Sequence, residues 1–345
     1  MSVRAMQTGG VALGLLVAIA LVLSIGQAGA RTPPANAFGF SWQEAGSRDH
    51  PLVGRIWSAA DGSFLDPASL TATLARADFL LLGEVHDNAD AHGLQGWAIG
   101  RRVEAQSKFG VVFEHIRTDQ QEALAKLDEF DRTARRVATA NDLFRFLDWQ
   151  NGGWPSETKF VGLFNAVFNP RLPIYAANPP RQQVRAVARS EEGALSPQER
   201  TRILLDATWD KPLADALYNE LKGSHCGAIP ESAVPAMSVA QRYRDAAFAD
   251  VMLTAAKDHG AAILIAGNGH VRTDRAVPWY LRERAPGKNI IAVMMLEVED
   301  GQADPAAYAP RAPDGKPAVD FVIFTPRAER PDPCEALRQR SQPKQ

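Results

Sequence analysis

Four short, uninterrupted apolar runs constrain the fold of this chain more than any other feature of its sequence. The runs are FLLLG (79–83), GVVFE (110–114), AAILIAG (261–267) and NIIAVMML (289–296). Strands that are buried on both faces have this composition, and amphipathic segments between them indicate helices that cross over a parallel sheet. The sequence therefore predicts an α/β fold in which a mostly parallel sheet is flanked by helices.

Weaker patterns predict the remaining elements. An Asp61-Gly62 turn between two apolar runs indicates a hairpin over 55–65, and two more strands are expected at 173–177 and 321–324. Helical periodicity is found at 92–105, 118–131, 140–148, 159–168, 239–258 and 277–284.

The strand signal disappears over residues 182–238, where helices are expected from Gln182, Ser196 and Pro212. This stretch is predicted to be a helical insertion within one α/β domain, 31–325. Charge and proline dominate residues 326–345, which predicts a polar surface tail.

The N-terminus has the pattern of a secretory signal. An apolar run at 11–24 follows Arg4 and precedes Ala28-Gly29-Ala30, and the run is short for a membrane span. We therefore expect residues 1–30 to be a signal peptide and the protein to be exported, in the periplasm. The alternative is an uncleaved anchor, which is the only case in which membrane contact is expected. No cysteine lies near the cleavage region, which excludes a lipoprotein.

Composition excludes several classes of function. Lys and Arg number 38 against 40 Asp and Glu, and no basic block stands out, so nucleic acid is not an expected partner. Two cysteines are too few for a cysteine-built zinc or iron–sulfur site. In an oxidising compartment Cys226 and Cys334 can form a disulfide. Alternatively, Cys226 lies near a ligand pocket and Cys334 in a loose tail.

Polar residues follow several of the predicted strands. Two Gly-x-x-His motifs, Gly83–His86 and Gly267–His270, each begin at the end of an apolar run. Glu114-His115 and Asn178-Pro179 end two other strands. The carboxyl ends of parallel strands share one edge of a sheet, so these side chains should lie close together. Carboxylates and imidazoles at that edge can bind a divalent metal, with His86, Glu114, His115 and His270 as ligands, or perform acid–base chemistry.

The predicted long helix has an unusual face. Gln241, Asp245, Phe248 and Met252 share this face and Arg244 lies beside it. It is either a helix end held by an Arg–Asp pair or a support for the strand-end histidines. His225, Cys226 and Met237, just upstream, are candidate soft ligands for a haem iron.

Six segments together resemble one protein family. They are LLGEVHDN (81–88), VVFEH (111–115), Asn178-Pro179, HCG (225–227), AQRYRDAAFA (240–249) and LIAGNGHVRTD (264–274). The chain is similar to the ChaN-like haem-binding uptake proteins, whose superfamily includes the Tiki and TraB proteins. The resemblance implies an exported haem-binding protein of iron acquisition, and a homodimer that encloses two haem groups.

The resemblance also implies a tyrosine on the iron and a histidine near the propionates. Of the five tyrosines, Tyr218 and Tyr243 are favoured because they lie in or next to the helical insertion. The residues expected to contact haem are Tyr218, Tyr243, His225, Met237, Gln241, Arg244 and Asp245.

The same superfamily supports a second interpretation. Tiki proteins are similar in carrying two Gly-x-x-His motifs and are regarded as metal-dependent proteases, and erythromycin esterases resemble them more distantly. Under this interpretation the chain is a hydrolase that uses zinc or manganese, with Glu84, His86, Glu114 and His270 as catalytic residues. The sequence leaves open whether the protein is an enzyme.

Overall fold

The computed structural model of the protein describes residues 36–134, 139–332, 334, 335 and 337. The predicted signal peptide and the end of the predicted tail lie outside these residues, so export and cleavage stay predictions. Within the described part of the chain, no helix is both long and apolar enough to cross a membrane.

The described residues form one eight-stranded sheet with the order β2-β1-β8-β7-β3-β6-β4-β5. The strands are β1 (Ile56–Ser58), β2 (Ser63–Leu65), β3 (Phe79–Glu84), β4 (Gly110–Arg117), β5 (Ile174–Asn178), β6 (Ala262–Gly267), β7 (Ile290–Glu297) and β8 (Phe321–Thr325). Strands β8 to β5 are parallel, whereas the β1–β2 hairpin is antiparallel and joins the sheet at β8. The predicted α/β class and mostly parallel sheet are confirmed.

Helices cover both faces of the sheet. They are α1 (Pro67–Leu74), α2 (Ala89–Glu104), α3 (Gln121–Ala134), α4 (Ala140–Phe146), α5 (Trp149–Gly152), α6 (Val161–Phe168), α7 (Arg181–Ala188), α8 (Pro197–Arg202), α9 (Lys211–Ser224), α10 (Val234–His259), α11 (Ala276–Arg284) and α12 (Pro305–Tyr308). Short 3-10 helices are formed by Thr118–Gln120, Glu157–Lys159, Glu231–Ala233 and Asn268–Val271.

The core has two layers because successive side chains of a strand point to opposite faces. In β3, Leu80 and Leu82 pack in the layer that contains α2 and α6, whereas Phe79 and Leu81 pack in the layer that contains α10 and α11. The helical insertion lies on the second layer, where Val184, Ile203 and Leu217 are buried. No strand is assigned between residues 182 and 238, as predicted.

Residues 326–330, the first part of the predicted polar tail, pack against the domain. Pro326 accepts a hydrogen bond from Asn88 Nδ2 (2.9 Å), and Arg330 pairs with Asp87 and Glu297. Ala328 is buried. These contacts hold the segment against the loop that follows β3. Beyond it, Cys334 forms a disulfide with Cys226, at the end of α9.

Candidate functional site

Glu84, the last residue of β3, is the centre of a buried cluster of histidines. Its Oε1 atom accepts hydrogen bonds from His86 Nδ1 and His115 Nε2, both at 2.9 Å. His92 Nε2, on the first turn of α2, lies 3.3 Å from the other carboxylate oxygen. Three imidazoles from three different segments therefore surround one carboxylate.

The protonation of this cluster follows from charge and burial. Burial alone would raise the pKa of Glu84, but the neighbouring His92 and His115 outweigh burial and hold this pKa well below its usual range. Burial lowers the pKa of His86, yet the hydrogen bond to Glu84 and the charge of Glu114 raise it overall. Glu84 is therefore an ionised acceptor that orients its histidines.

A second cluster lies beside the first. His270 donates from Nδ1 to Asp245 on α10 (2.6 Å), and its Nε2 atom lies 3.3 Å from Glu114 Oε1. The other oxygen of Glu114 accepts the backbone N–H of Gly267 (2.8 Å). Burial lowers the pKa of His270, but Glu114 and Asp245 outweigh it and raise this pKa to about 10. This cluster is a buried carboxylate–imidazolium–carboxylate chain.

Strand β6 lies between β3 and β4, yet His86, which follows β3, approaches Glu114 of β4. The glycine at position 267 makes this approach possible. A side chain on Gly267, at the end of β6, would place its Cβ 3.0 Å from two ring atoms of His86 and 3.7 Å from Glu114 Oε2. Because the position carries no side chain, His86 and Glu114 approach each other above the end of β6. The glycine of the second Gly-x-x-His motif thus makes space for the histidine of the first.

Aromatic rings enclose one side of the first cluster. His115 lies 4.5 Å from Trp154, 5.0 Å from Phe160 and 6.0 Å from Trp149, measured between ring centroids. Trp154 also donates its indole N–H to the carbonyl of His115 (2.9 Å). Of the three histidines, His86 has the exposed side chain, at 40%, whereas those of His92 and His115 are buried. His86 is therefore where this cluster meets solvent.

Two cavities adjoin the carboxyl edge of the sheet, and Gln241 and Arg244 of α10 line both. The polar strand-end cavity, of about 330 Å³, is lined by Glu114, Arg117, Asn178, Arg181 and His270 among others. The apolar cavity, of about 460 Å³, lies between α7, α9 and α10, with an apolar lining that includes Val184, Ala188, Leu221, Ala236 and Ala240. His225, Met237, Arg185 and Arg189 also line the apolar cavity.

The structure gathers the predicted metal residues into two groups. His86 and His115 group with Glu84, which was predicted as a catalytic residue and not as a member of the metal set. Candidate ligand atoms of these three residues lie within 4.8 Å of one another, which makes them a three-ligand set. Glu114 and His270, which the sequence placed in the metal set, pair with each other beside it. All of the residues predicted to be catalytic lie at one edge of the sheet.

Sequence reasoning missed His92 and Trp154. Both come from segments without a strand-end motif, because His92 lies on α2 and Trp154 in the loop after α5. A signal was present for His92, which shares a face of α2 with Gln95, Ile99 and Arg102, all buried. Polar side chains on a buried helix face need hydrogen-bond or charge partners inside the protein.

The residues predicted to contact haem are divided between the apolar cavity and the core. Four of them, His225, Met237, Gln241 and Arg244, line the apolar cavity. Asp245 is buried against His270 instead.

The two favoured tyrosines differ in position. Tyr243 is only 4% exposed and packs in the core, where burial raises its pKa to about 12. A buried tyrosine with a raised pKa is disfavoured as a tyrosinate ligand of the haem iron. Tyr218 is half-buried and lies on the face of α9 that carries Leu221 and His225, one turn further from the cavity.

Comparisons with known proteins agree with this fold. Residues 70–281 match the family described as haem-binding uptake, Tiki superfamily, ChaN. A comparison with curated proteins finds no match. The solved structure of ChaN of Campylobacter jejuni with cofacially bound haem is 19% identical, with a TM-score of 0.59, and the match covers 78% of this chain and 95% of that one. At this identity the similarity shows the fold.

Two further structures have lower scores. The type III effector HopBA1 is 11% identical with a TM-score of 0.39, over 80% of this chain and 99% of that one. A protein from Bacillus cereus is 14% identical with a TM-score of 0.34, over 68% of this chain and 69% of that one. Neither similarity carries an argument about function.

Proposed function

Since the chain belongs to the ChaN family of haem-binding uptake proteins in the Tiki superfamily, we propose that it is an exported protein that binds haem in the apolar cavity, for haem or iron uptake. One observation carries the proposal. His225 and Met237 line the same apolar cavity as three arginines, Arg185, Arg189 and Arg244. Apolar walls suit a porphyrin, the two soft side chains suit its iron, and guanidinium groups suit its propionates.

The hydrogen bonding of His225 supports this assignment. Its Nδ1 atom lies 2.7 Å from the carbonyl oxygen of Leu221, so Nδ1 carries the proton and donates it. A proton on Nδ1 leaves Nε2 as the nitrogen that can bind a metal, which is the arrangement that metal-binding histidines need. Among the predicted iron ligands, His225 is therefore the one whose local structure prepares it for that role.

A hemin titration of residues 31–345 followed by absorbance tests the proposal. We expect a saturable Soret change, and the stoichiometry shows whether two copies share haem. His225→Ala and Met237→Leu each test an iron ligand, and loss of the true ligand should weaken hemin binding by about 10-fold or more. His50→Ala is the matched control because His50 lines neither cavity. Tyr218→Phe tests the one favoured tyrosine that is not buried in the core, and Tyr308→Phe is its control. Unchanged spectra in all ligand variants would refute the haem site.

Export can be tested independently. A disulfide between Cys226 and Cys334 is typical of an oxidising compartment, which supports the signal peptide. Mass spectrometry of the full-length protein after expression with a C-terminal tag should give a mature chain that begins at Arg31, in the periplasmic fraction. A membrane-bound protein that still begins at its first residues would instead indicate an N-terminal anchor.

A second candidate function is a metal-dependent hydrolase, and the Glu84, His86 and His115 set favours it. Two imidazoles and one carboxylate are a donor set of catalytic zinc sites, and the ligand atoms lie within 4.8 Å of one another. Glu84 Oε2 is buried and accepts no hydrogen bond from the described residues, although His92 Nε2 lies 3.3 Å from it. When bound, zinc or manganese would activate water near neutral pH.

Thermal shift assays of the metal-stripped protein with zinc and with manganese test this second candidate. The expected result is a stabilisation of the parent that His86→Ala and His115→Ala abolish and the control His50→Ala retains. Equal responses of all four proteins would exclude a specific site. This assay does not depend on haem, so the two candidate functions can fail separately.

A further inference from the structure

Three arginines converge on the strand-end cavity. Arg117 extends from the end of β4, Arg181 begins α7, and Arg244 lies on α10. They come from distant segments of the chain, so the fold itself brings their positive charges to one concave surface.

The carboxylates at the cavity, Glu114 in its lining and Asp245 behind it, already have partners. Glu114 is paired with His270 and with the backbone N–H of Gly267. Asp245, behind His270, is paired with the same imidazole. One imidazolium faces two carboxylates, so this unit keeps one net negative charge, but neither carboxylate is hydrogen-bonded or ion-paired to the three arginines.

Two of the three arginines lack an acidic partner. Arg117 pairs with Asp119 (2.9 Å), but Arg181 donates to a neutral acceptor, the carbonyl of Gly152 (2.8 Å). The Arg244 side chain makes no hydrogen bond or ion pair with any residue in the described part of the chain, although it is half-buried. Arg181 and Arg244 together carry two positive charges against the one net negative charge of the Glu114–His270–Asp245 unit, so the cavity carries a surplus of positive charge.

The loop after α5 fixes one of these groups. Gly153 has a positive φ of 83°, and a Cβ at this position would lie 2.6 Å from Arg181 Nη2. The absence of a side chain allows the guanidinium to pack against the loop backbone beside the cavity, which Gly152 and Arg181 both line. Arg181 thus has one backbone hydrogen bond, to Gly152, that directs its guanidinium towards this loop.

We propose that the strand-end cavity is a carboxylate-binding site in which Arg181 and Arg244 hold the anionic group. A planar guanidinium matches a carboxylate in geometry, and two such groups in a concave site recognise the anion better than one. The carboxylate belongs either to a free organic acid or to a haem propionate that extends from the apolar cavity, since Arg244 lines both cavities. Only the propionate source rests on the proposed haem function.

Calorimetric titration of the parent with succinate at constant ionic strength tests the site without haem. Arg244→Gln and Arg181→Gln are the test variants. Arg76→Gln is the matched control because it removes the same charge from an exposed residue near the amino end of β3, at the opposite edge of the sheet. Hemin and hemin dimethyl ester, which lacks the free propionates, are titrated into the same proteins.

If the free-acid source is right, succinate binds saturably, and both test variants weaken it by about 10-fold or more, whereas Arg76→Gln changes it less than about twofold. If the propionate source is right, Arg244→Gln weakens hemin by a similar factor and leaves the dimethyl ester unaffected. Test variants that retain the parental circular dichroism but behave like Arg76→Gln towards both succinate and hemin would overturn the proposal. Because Arg181 is exposed and Arg244 is half-buried, the variants are expected to fold.

Discussion

His270 lies between two buried carboxylates, and its charge should therefore couple the stability of the protein to pH. The pKa of its imidazole is raised to about 10 from an ordinary value of 6.5 because Glu114 and Asp245 outweigh the effect of burial. A folded-state pKa above the unfolded-state pKa gives a stabilisation that is complete below pH 6.5 and is lost as the pH rises through about 10.

We predict that NMR of histidine-labelled protein will show His270 as an imidazolium at neutral pH, with a titration midpoint near 10. The free energy of unfolding should fall over the same pH window. His270→Gln, which cannot be protonated there, provides the assignment and should remove this part of the pH dependence. A His270 resonance that titrates below pH 6.5 would contradict the charged chain.

Gly83 is required because two side chains pack directly above it. A Cβ at this position would lie 2.3 Å from Asn268 Oδ1 and 2.6 Å from the buried Val271 Cγ2. Asn268 cannot easily move away, since it donates to the carbonyl of Met295 (2.9 Å). The first glycine of the motif therefore serves the packing of the strand end.

Gly83→Ala should consequently lower the free energy of unfolding by about 1–3 kcal/mol through overpacking. The matched control is Gly100→Ala in α2, where a Cβ meets no atom within 4 Å. An alanine inside a helix is favoured over glycine by about 0.5–1 kcal/mol, so this control should be neutral or more stable than the parent. Urea unfolding measures both changes, and equal effects would show that the close contacts above Gly83 relax freely.

At the scale of elements, the disulfide connects the end of α9 to the C-terminal segment. It joins residues 108 positions apart, and a loop of this length gives about 4–5 kcal/mol of stabilisation in the chain-entropy model. Cys226 directly follows His225, which lines the apolar cavity. The bridge thus fixes the corner that presents the candidate iron ligand.

Replacing both cysteines by serine should lower the free energy of unfolding by about 2–5 kcal/mol, measured in urea. The same variant should bind hemin more weakly, since the corner at His225 loses one of its restraints. The single variants Cys226→Ser and Cys334→Ser should match the double variant, because each lacks the bridge. Full parental stability in the double variant would show that the bridge constrains little in the unfolded chain.

Whole elements differed in how well the sequence predicted them, for physical reasons. Strands β3, β4, β6 and β7 are buried on both faces, so composition alone was sufficient to place them. Helices α5 and α12 have only four residues each, too few for a helical period to be recognised, and they were not predicted; α1 was also not predicted. The start of α10 was predicted at Val239, but the helix begins at Val234, because Pro235 fits a first turn that needs no N–H from it.

At the scale of the whole molecule, the candidate site depends on strand order. Parallel topology was sufficient to predict that Glu84, His86, Glu114 and His270 would meet at one edge. The pairs that these residues form could not be predicted. The pairing depends on the position of β6 between β3 and β4 and on the space that Gly267 leaves above the end of β6. The two cavities depend in the same way on how the insertion packs against α10, which no local pattern specifies.

The central strand β3 also joins the two core layers, and this should make the domain unfold as one unit. Leu80 and Leu82 pack in one layer, and Phe79 and Leu81 in the other, so neither layer can separate without disrupting the strand. Trp149 belongs to the first layer and Trp209, in the helical insertion, to the second. Fluorotryptophan labelling followed by fluorine NMR can therefore follow each layer separately during urea unfolding.

We expect the Trp149 and Trp209 resonances to lose their native intensity at the same urea concentration. Leu81→Ala, which removes a buried side chain from the second layer only, should cost about 2–5 kcal/mol and shift both midpoints together. A Trp209 resonance that disappears first, with Trp149 still native, would show that the helical insertion unfolds independently of the sheet. In that case the apolar cavity, which lies between the insertion and α10, could open without loss of the strand-end site.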